Sequence, residues 1–176
     1  MAFRKIRPIR IEGNVAYVPL TKGYEAVIDV EDVGLVSDRC WWAMVGRLKS
    51  GEVRSVYAVH TPWSGSEHGV TYMHRLIAGT PAGLMTDHID GDGLNNRRAN
   101  LRPATDSQNQ QNSRLRLVNK AKVKGVYWNV RAKKWRAQIG FEGRNHHLGF
   151  FDSVEDASAA YAAASAALHP TFGRTR

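Results

Sequence analysis

The order of apolar and polar positions divides the chain into two kinds of segment. Through residues 9–60 the apolar positions come in short runs. Ile9, Ile11, Val15, Tyr17 and Val18 are β-formers interrupted by Gly13-Asn14, and Ala26–Val30 is a second run. From Val53 to Val59 the pattern alternates, with Val53, Ser55, Tyr57 and Val59 on one side. Thr61–Gly69, rich in Pro, Gly and Ser, is a loop, and Thr71–Ala78 is a short helix ended by Gly79 and Pro81. Residues 84–103 hold a dense polar stretch, Asp87-His88-Ile89-Asp90-Gly91-Asp92-Gly93-Leu94-Asn95-Asn96, flanked by Leu84, Met85 and Leu101. Thr105 or Asp106 then N-caps a helix running to about Leu117.

Beyond a basic connector at 118–124, three strand-like runs follow: Gly125–Arg131, Trp135–Phe141 and Arg144–Phe151. Tight turns at Ala132-Lys133 and Glu142-Gly143 separate them. Ser153 caps an Ala-rich helix, Val154–Leu168, with Glu155 and Asp156 in its first turn. Alternation puts Val126, Trp128, Val130, Trp135, Ala137, Ile139, Leu148 and Phe150 on a face that packs on this helix. The other face carries Tyr127, Asn129, Arg131, Lys134, Arg136, Gln138, Asn145 and His147. These are donors, acceptors and cations, suited to base edges and phosphates. A solvated sheet face is the plain alternative, and charge decides against it. Residues 1–113 carry 13 Lys+Arg against 12 Asp+Glu, whereas residues 114–176 carry 12 against 4. Nearly all of the net +9 therefore lies in the last third, where it suits a polyanion.

Composition bounds the rest. The 176 residues fit one ordinary domain or two small ones, and 43% hydrophobic content supports a core. The single cysteine, Cys40, excludes an internal disulfide and a Cys-rich zinc cluster. Beside Trp41 and Trp42 it is expected to pack in a core. No apolar run reaches membrane-spanning length, and the basic N-terminus lacks the apolar stretch of a secretory signal. The expectation is a protein of the cytoplasm, without a membrane partner.

The polar stretch holds the candidate chemistry. Phosphodiester hydrolysis needs a base to activate water and a cation to offset charge. His88 is suited to be the base, and Asp87 offers a hard oxygen for Mg²⁺. Asn109 and Asn112, three residues apart on one helix face, each offer an amide oxygen to the same metal. A calcium loop is excluded, because Leu94 and Leu101 fall at ligand positions if Asp90 is the first.

Several spaced elements carry a family resemblance. Met73-His74-Arg75-Leu76-Ile77, Asp87-His88-Ile89-Asp90-Gly91, Asn95-Asn96-Arg97-Arg98-Ala99-Asn100-Leu101-Arg102, then Asn109 and Asn112, closely resemble the HNH homing-type endonucleases. Val18-Pro19-Leu20-Thr21-Lys22-Gly23 resembles the start of phage and bacterial members. The resemblance places the HNH letters on His88, Asn100 and Asn109 and implies a ββα-metal core at about residues 70–117. It implies His88 as general base, Asp87 and Asn109 as ligands of one divalent cation (Mg²⁺, with Mn²⁺ the alternative), and Asn100 as a brace of the loop. His74 is expected to be a packed, hydrogen-bonded histidine.

The segments Gly125-Val126-Tyr127, Lys134-Trp135-Arg136-Ala137-Gln138-Ile139, His147-Leu148-Gly149-Phe150-Phe151 and Ala157–Tyr161 look like an AP2 DNA-binding domain over about residues 123–173. That likeness implies a three-stranded face docked in the major groove, with Tyr127, Asn129, Arg131, Gln138, Asn145 and His147 at reading positions.

The expected fold is α+β: a β-rich N-terminal region leading into the ββα-metal core, then a three-stranded antiparallel sheet packed on one helix. The expected division is a nuclease domain at 1–117, a linker at 118–124 and a DNA-binding domain at 125–176. The expected function is a metal-dependent, phage- or mobile-element-encoded homing endonuclease acting on double-stranded DNA. It would be a monomer that nicks or a homodimer that cuts both strands. The competing reading is a non-catalytic DNA-binding regulator with a decayed nuclease fold. RNA binding is weaker, because alternation turns Trp128 and Trp135 to the core.

Overall fold

The computed structural model describes residues 6–62, 69–112, 121 and 123–169. The described residues form a mixed α/β structure of small antiparallel sheets and four α-helices, and contacts divide the chain into two compact units, Met1–Thr105 and Asp106–Arg176. Among the described residues no helix is long and apolar enough to cross a membrane.

In the first unit, β1 (Arg10–Glu12), β2 (Val15–Pro19) and β3 (Glu25–Asp29) form a meander. Alternation sorts β2 and β3 into faces: Ala16 pairs with Ile28 and Val18 with Ala26, and all four are buried. A 3₁₀ turn and a short helix, α1 (Val33–Val36), follow β3 where the sequence suggested only more strand. The second sheet joins β4 (Trp42–Arg47), β5 (Val53–His60) and β6 (Thr71–Tyr72). Helix α2 (Met73–Ala78) ends at Gly79, as expected. Met73 and Ile77 of α2 pack with Trp41, Ala43 and Ala58 of the second sheet region in one core with the meander. Cys40 departs from expectation: it is partly exposed, while Trp41 takes the core position with its indole N–H donating to the Val36 carbonyl at 2.9 Å. Strands β7 (Met85–His88) and β8 (Leu101–Ala104) make a two-stranded hairpin around the polar loop.

The second unit begins with α3 (Asp106–Asn112), and the end of the expected helix, 113–117, lies outside the described residues. The same is true of most of the connector and of 63–68 within the expected loop. Strands β9 (Val126–Asn129), β10 (Lys134–Phe141) and β11 (Arg144–Phe151) form an antiparallel sheet with β10 central, and α4 (Val154–Leu168) packs on it. The Ser153 hydroxyl accepts from the Asp156 N–H at 3.0 Å, which fixes the start of α4. Val126, Ala137, Ile139, Ala157 and Tyr161 form the core between sheet and helix.

Four face assignments are corrected. Trp128 does not enter the core with the helix: it is 45% exposed and meets Trp135 edge-on, with centroids 5.4 Å apart. Val130 and Arg131 lie in the turn Val130–Lys133 rather than in β9, so the first turn is four residues long and Val130 is 78% exposed. Asn129 is spent in part on that turn, where its side-chain oxygen accepts from the Ala132 N–H at 2.8 Å. Phe150 leaves the core face and Phe151 takes its place, because Leu148 is an extra residue in the ladder.

Candidate active site

Asp87 and His88 are the last two residues of β7, paired in register with Arg102 and Leu101 of β8. Both are buried, at 4% and 6% exposure. They are therefore held by strand backbone at the mouth of the polar loop and are not part of a mobile turn.

The loop itself is laced by its own polar side chains. The Asp90 carboxylate accepts from the Asp92 N–H at 2.8 Å, from Asn95 Nδ2 at 2.7 Å and from Asn100 Nδ2 at 2.9 Å. Burial alone would raise the Asp90 carboxyl, but these hydrogen bonds outweigh it and hold the group below its usual value. Asn100 also donates to the Asn95 carbonyl at 2.8 Å and accepts from the Asp90 N–H at 3.0 Å, tying the two ends of the loop together.

The loop is also fixed to the meander. The Val27 N–H donates to the Leu94 carbonyl at 2.8 Å, and the Asn96 N–H to the Val27 carbonyl at 2.7 Å. Arg97 pairs with Asp29 at 2.8 Å, and Arg98 with the fully buried Asp32 at 2.6 Å. Asp29, Glu31 and Asp32 bring carboxylate oxygens within 4.8 Å of one another. Arginines occupy that cluster, so it is a counter-ion for the loop, since a buried carboxylate requires a partner. On the other side, Gly93 lies against β5. A Cβ there would run into the Val56 carbonyl and sit 2.7 Å from the Tyr57 ring, so this close approach requires glycine.

The orientation of His88 follows from Asn96, which is fully buried. Asn96 Nδ2 donates to the Leu94 carbonyl at 3.2 Å and contacts Met73 sulfur at 3.7 Å. Its Oδ1 then faces His88 Nε2 at 3.1 Å, so Nε2 carries the imidazole proton and Nδ1 the basic lone pair. Burial lowers the His88 pKa, opposed by the Asn96 hydrogen bond and by Asp90, Asp87 and Asp92. The imidazole is thus neutral near pH 7, the state a general base needs.

Rings flank the His88 imidazole. His74 meets His88 edge-on, with centroids 4.9 Å apart, and Tyr57 lies 6.0 Å from His88. His74 is packed as expected but not fully hydrogen-bonded: its buried Nδ1 has no partner among the described residues. Burial, with His88 and Arg75 nearby, drives its pKa down to about 3.

Asp87 accepts from Arg102 Nε at 2.8 Å. Its carboxylate is a hard donor, and a magnesium site needs only one or two carboxylates alongside substrate phosphate oxygens. The donor type therefore fits. Asn109 and Asn112 both lie on α3, in the second unit. Sequence reasoning did not single out Asn96 as the partner of His88, Arg102 as the partner of Asp87, or Asp29 and Asp32 as anchors. Only the register of β7 with β8, which sets Arg102 opposite Asp87, was within reach of the pattern.

A family model described as HNH endonuclease matches residues 71–111, a span containing the hairpin, its loop and most of α3. The chain is 33% identical over 96 residues to Protein 3.8 of Escherichia phage T7, an alignment covering 54% of this chain and 78% of that protein. No solved structure matches significantly.

Proposed function

We propose that this chain, which belongs to the family of Protein 3.8 of Escherichia phage T7, is a metal-dependent endonuclease acting on double-stranded DNA. The observation that carries the reading is the buried His88–Asn96 pair inside the segment matched by the HNH model. His88 takes the proton of a water through Nδ1 as that water attacks phosphorus. Asn96 keeps the ring turned and keeps its proton on Nε2. Asn100 holds the loop that carries these groups. Asp87 and Asn109 would hold a divalent cation, Mg²⁺ or Mn²⁺. When bound, such a cation offsets charge on the phosphate and the leaving oxygen.

Targeting is assigned to the sheet and helix of residues 125–176, within the second unit. Its sheet presents Tyr127, Lys134, Arg136, Gln138, Asn145 and His147, and residues 114–176 carry 12 Lys+Arg against 4 Asp+Glu. Together with the AP2-like segments, this supports a sheet that docks in the major groove and directs a homing-type cut. The functional division is 1–117 for chemistry, 118–124 as connector and 125–176 for reading. In a phage-infected cell the chain would act in the host cytoplasm, as a monomer that nicks one strand or a homodimer that cuts both.

The test is incubation with supercoiled phage and host DNA. Nicked or linear product in Mg²⁺, absent in EDTA, is the expected outcome. Intact supercoils in Mg²⁺ and Mn²⁺ alike, with DNA still bound, would leave a DNA-binding protein without nuclease activity.

A further inference from the structure

The pairing of β10 with β11 is not uniform. Ala137 pairs with Gly149 and Gln138 with His147, so Leu148 is an extra residue, a β-bulge. Gly149 adopts φ +140°, and a Cβ there would lie 3.2 Å from the Phe151 ring, so the bulge needs glycine at this position. The bulge resets the alternation. Phe151 packs into the core, and Phe150 comes to lie directly opposite Arg136, 45% exposed.

Arg136 is in turn opposite Tyr127. Three side chains, Tyr127, Arg136 and Phe150, therefore form one row across the polar face. Their neighbours hold them: the Tyr127 hydroxyl donates to Gln138 Oε1 at 2.7 Å, and the Arg136 guanidinium carbon lies 5.7 Å from the Tyr127 ring centre. Phe150 meets His147 edge-on, with centroids 4.8 Å apart. Arg136 Nε is buried without a hydrogen-bond partner among the described residues.

A lone exposed phenyl needs no explanation. This one sits beside an arginine in the middle of a cationic face. Arginine pairs with the O6 and N7 of guanine in the major groove, and an apolar side chain contacts the 5-methyl group of thymine. Directly opposite residues have Cβ atoms about 4.5–5.5 Å apart. Base pairs are stacked about 3.4 Å apart along the duplex. Two such side chains, converging slightly, reach neighbouring base pairs.

We infer that, granted the DNA-reading role proposed above for this sheet, Arg136 and Phe150 read a guanine next to a pyrimidine 5-methyl group. Arg136 takes the guanine edge and Phe150 the methyl. The chemistry recognised is the methyl group itself, which thymine and 5-methylcytosine share.

The test uses the full chain in EDTA, so that binding is read without cutting, on a duplex selected from a random pool. Each thymine is replaced in turn by deoxyuridine, which removes only the methyl, and affinity is read by fluorescence anisotropy. For the wild type, one thymine beside a guanine should be sensitive, with a loss of roughly three- to tenfold. Phe150→Ala should lose a similar factor on the thymine duplex and show no further loss with deoxyuridine there. Phe150→Leu, which keeps an apolar contact, should retain part of the response. At the same position 5-methylcytosine should bind better than cytosine by a similar factor. If 5-methylcytosine gives no gain over cytosine while deoxyuridine still weakens binding, the site reads thymine and not the methyl alone, which overturns the shared-methyl assignment. A wild type indifferent to every deoxyuridine, or an equal response in wild type and Phe150→Ala, overturns the inference with DNA reading intact. Absence of any sequence-selective binding overturns the reader role, and this inference with it.

Discussion

His88 Nε2 donates to Asn96 Oδ1 at 3.1 Å, and both residues are buried. The pair makes an asparagine eight residues downstream the orienter of the His88 imidazole. Asn96→Ala should lower cleavage by about 10–100-fold, the usual cost of removing a group that fixes a histidine tautomer at such a site. Mg²⁺ affinity should hardly change, because the amide faces the ring. Single-turnover cleavage and calorimetry on the same preparation check both statements, and a loss of metal affinity matching the loss of rate would assign Asn96 to the metal instead.

The proposed metal ligands separate by substitution. Asp87→Ala should abolish Mg²⁺-dependent cleavage, and Asn109→Ala should weaken metal binding while leaving a remnant. Titration calorimetry with Mg²⁺ and Mn²⁺ decides the helix ligand. Weakening by Asn112→Ala alone would move that role from Asn109 to Asn112. Full activity in EDTA would remove the metal from the mechanism.

His74 makes stability depend on pH. Its folded pKa is depressed to about 3, while an unfolded histidine titrates near 6.5. Between these values the unfolded chain binds the extra proton. Stability is therefore fully present above about pH 6.5 and falls with pH, by at most about 1.4 kcal/mol per unit from this group. Urea unfolding of wild type and His74→Phe at several pH values between these limits should show a flatter slope for the variant. Identical slopes would mean that His74 titrates normally in the folded protein.

The reading face should divide into specific and general contacts. Gln138→Ala should relax preference at one base pair, costing about 1–3 kcal/mol there. Lys134→Ala should weaken binding evenly across sequences and flatten the salt dependence, moderated by its surface pair with Asp152 at 3.0 Å. Gel shifts on matched and mismatched duplexes at several salt concentrations distinguish them. Equal effects of both changes on all sequences would describe a purely electrostatic surface.

Much of this structure is legible locally, and the rest depends on distant contacts. Helix α4 spans the residues that Ser153, Glu155 and Asp156 announce, because a cap and first-turn acids act within one turn. The Glu142-Gly143 turn is equally local. The bulge at Leu148 is not, since Leu148-Gly149-Phe150-Phe151 offers no polar residue to mark the phase of alternation. Asn96 is the last residue of the polar stretch Asp87–Asn96 in the sequence, and only the fold brings His88 of β7 beside it. Arg97 and Arg98 reach back to Asp29 and Asp32, more than sixty residues earlier. No periodicity encodes such a pair.

The central claim is that His88 activates the attacking water. The most direct measurement is single-turnover cleavage of one mapped duplex by wild type and His88→Ala in Mg²⁺, with affinity measured in parallel. The expected rate is lower by about 10²–10⁴-fold, with DNA affinity little changed. Cleavage by His88→Ala within about a factor of two of wild type, at least about fiftyfold short of a general base's contribution, would contradict it.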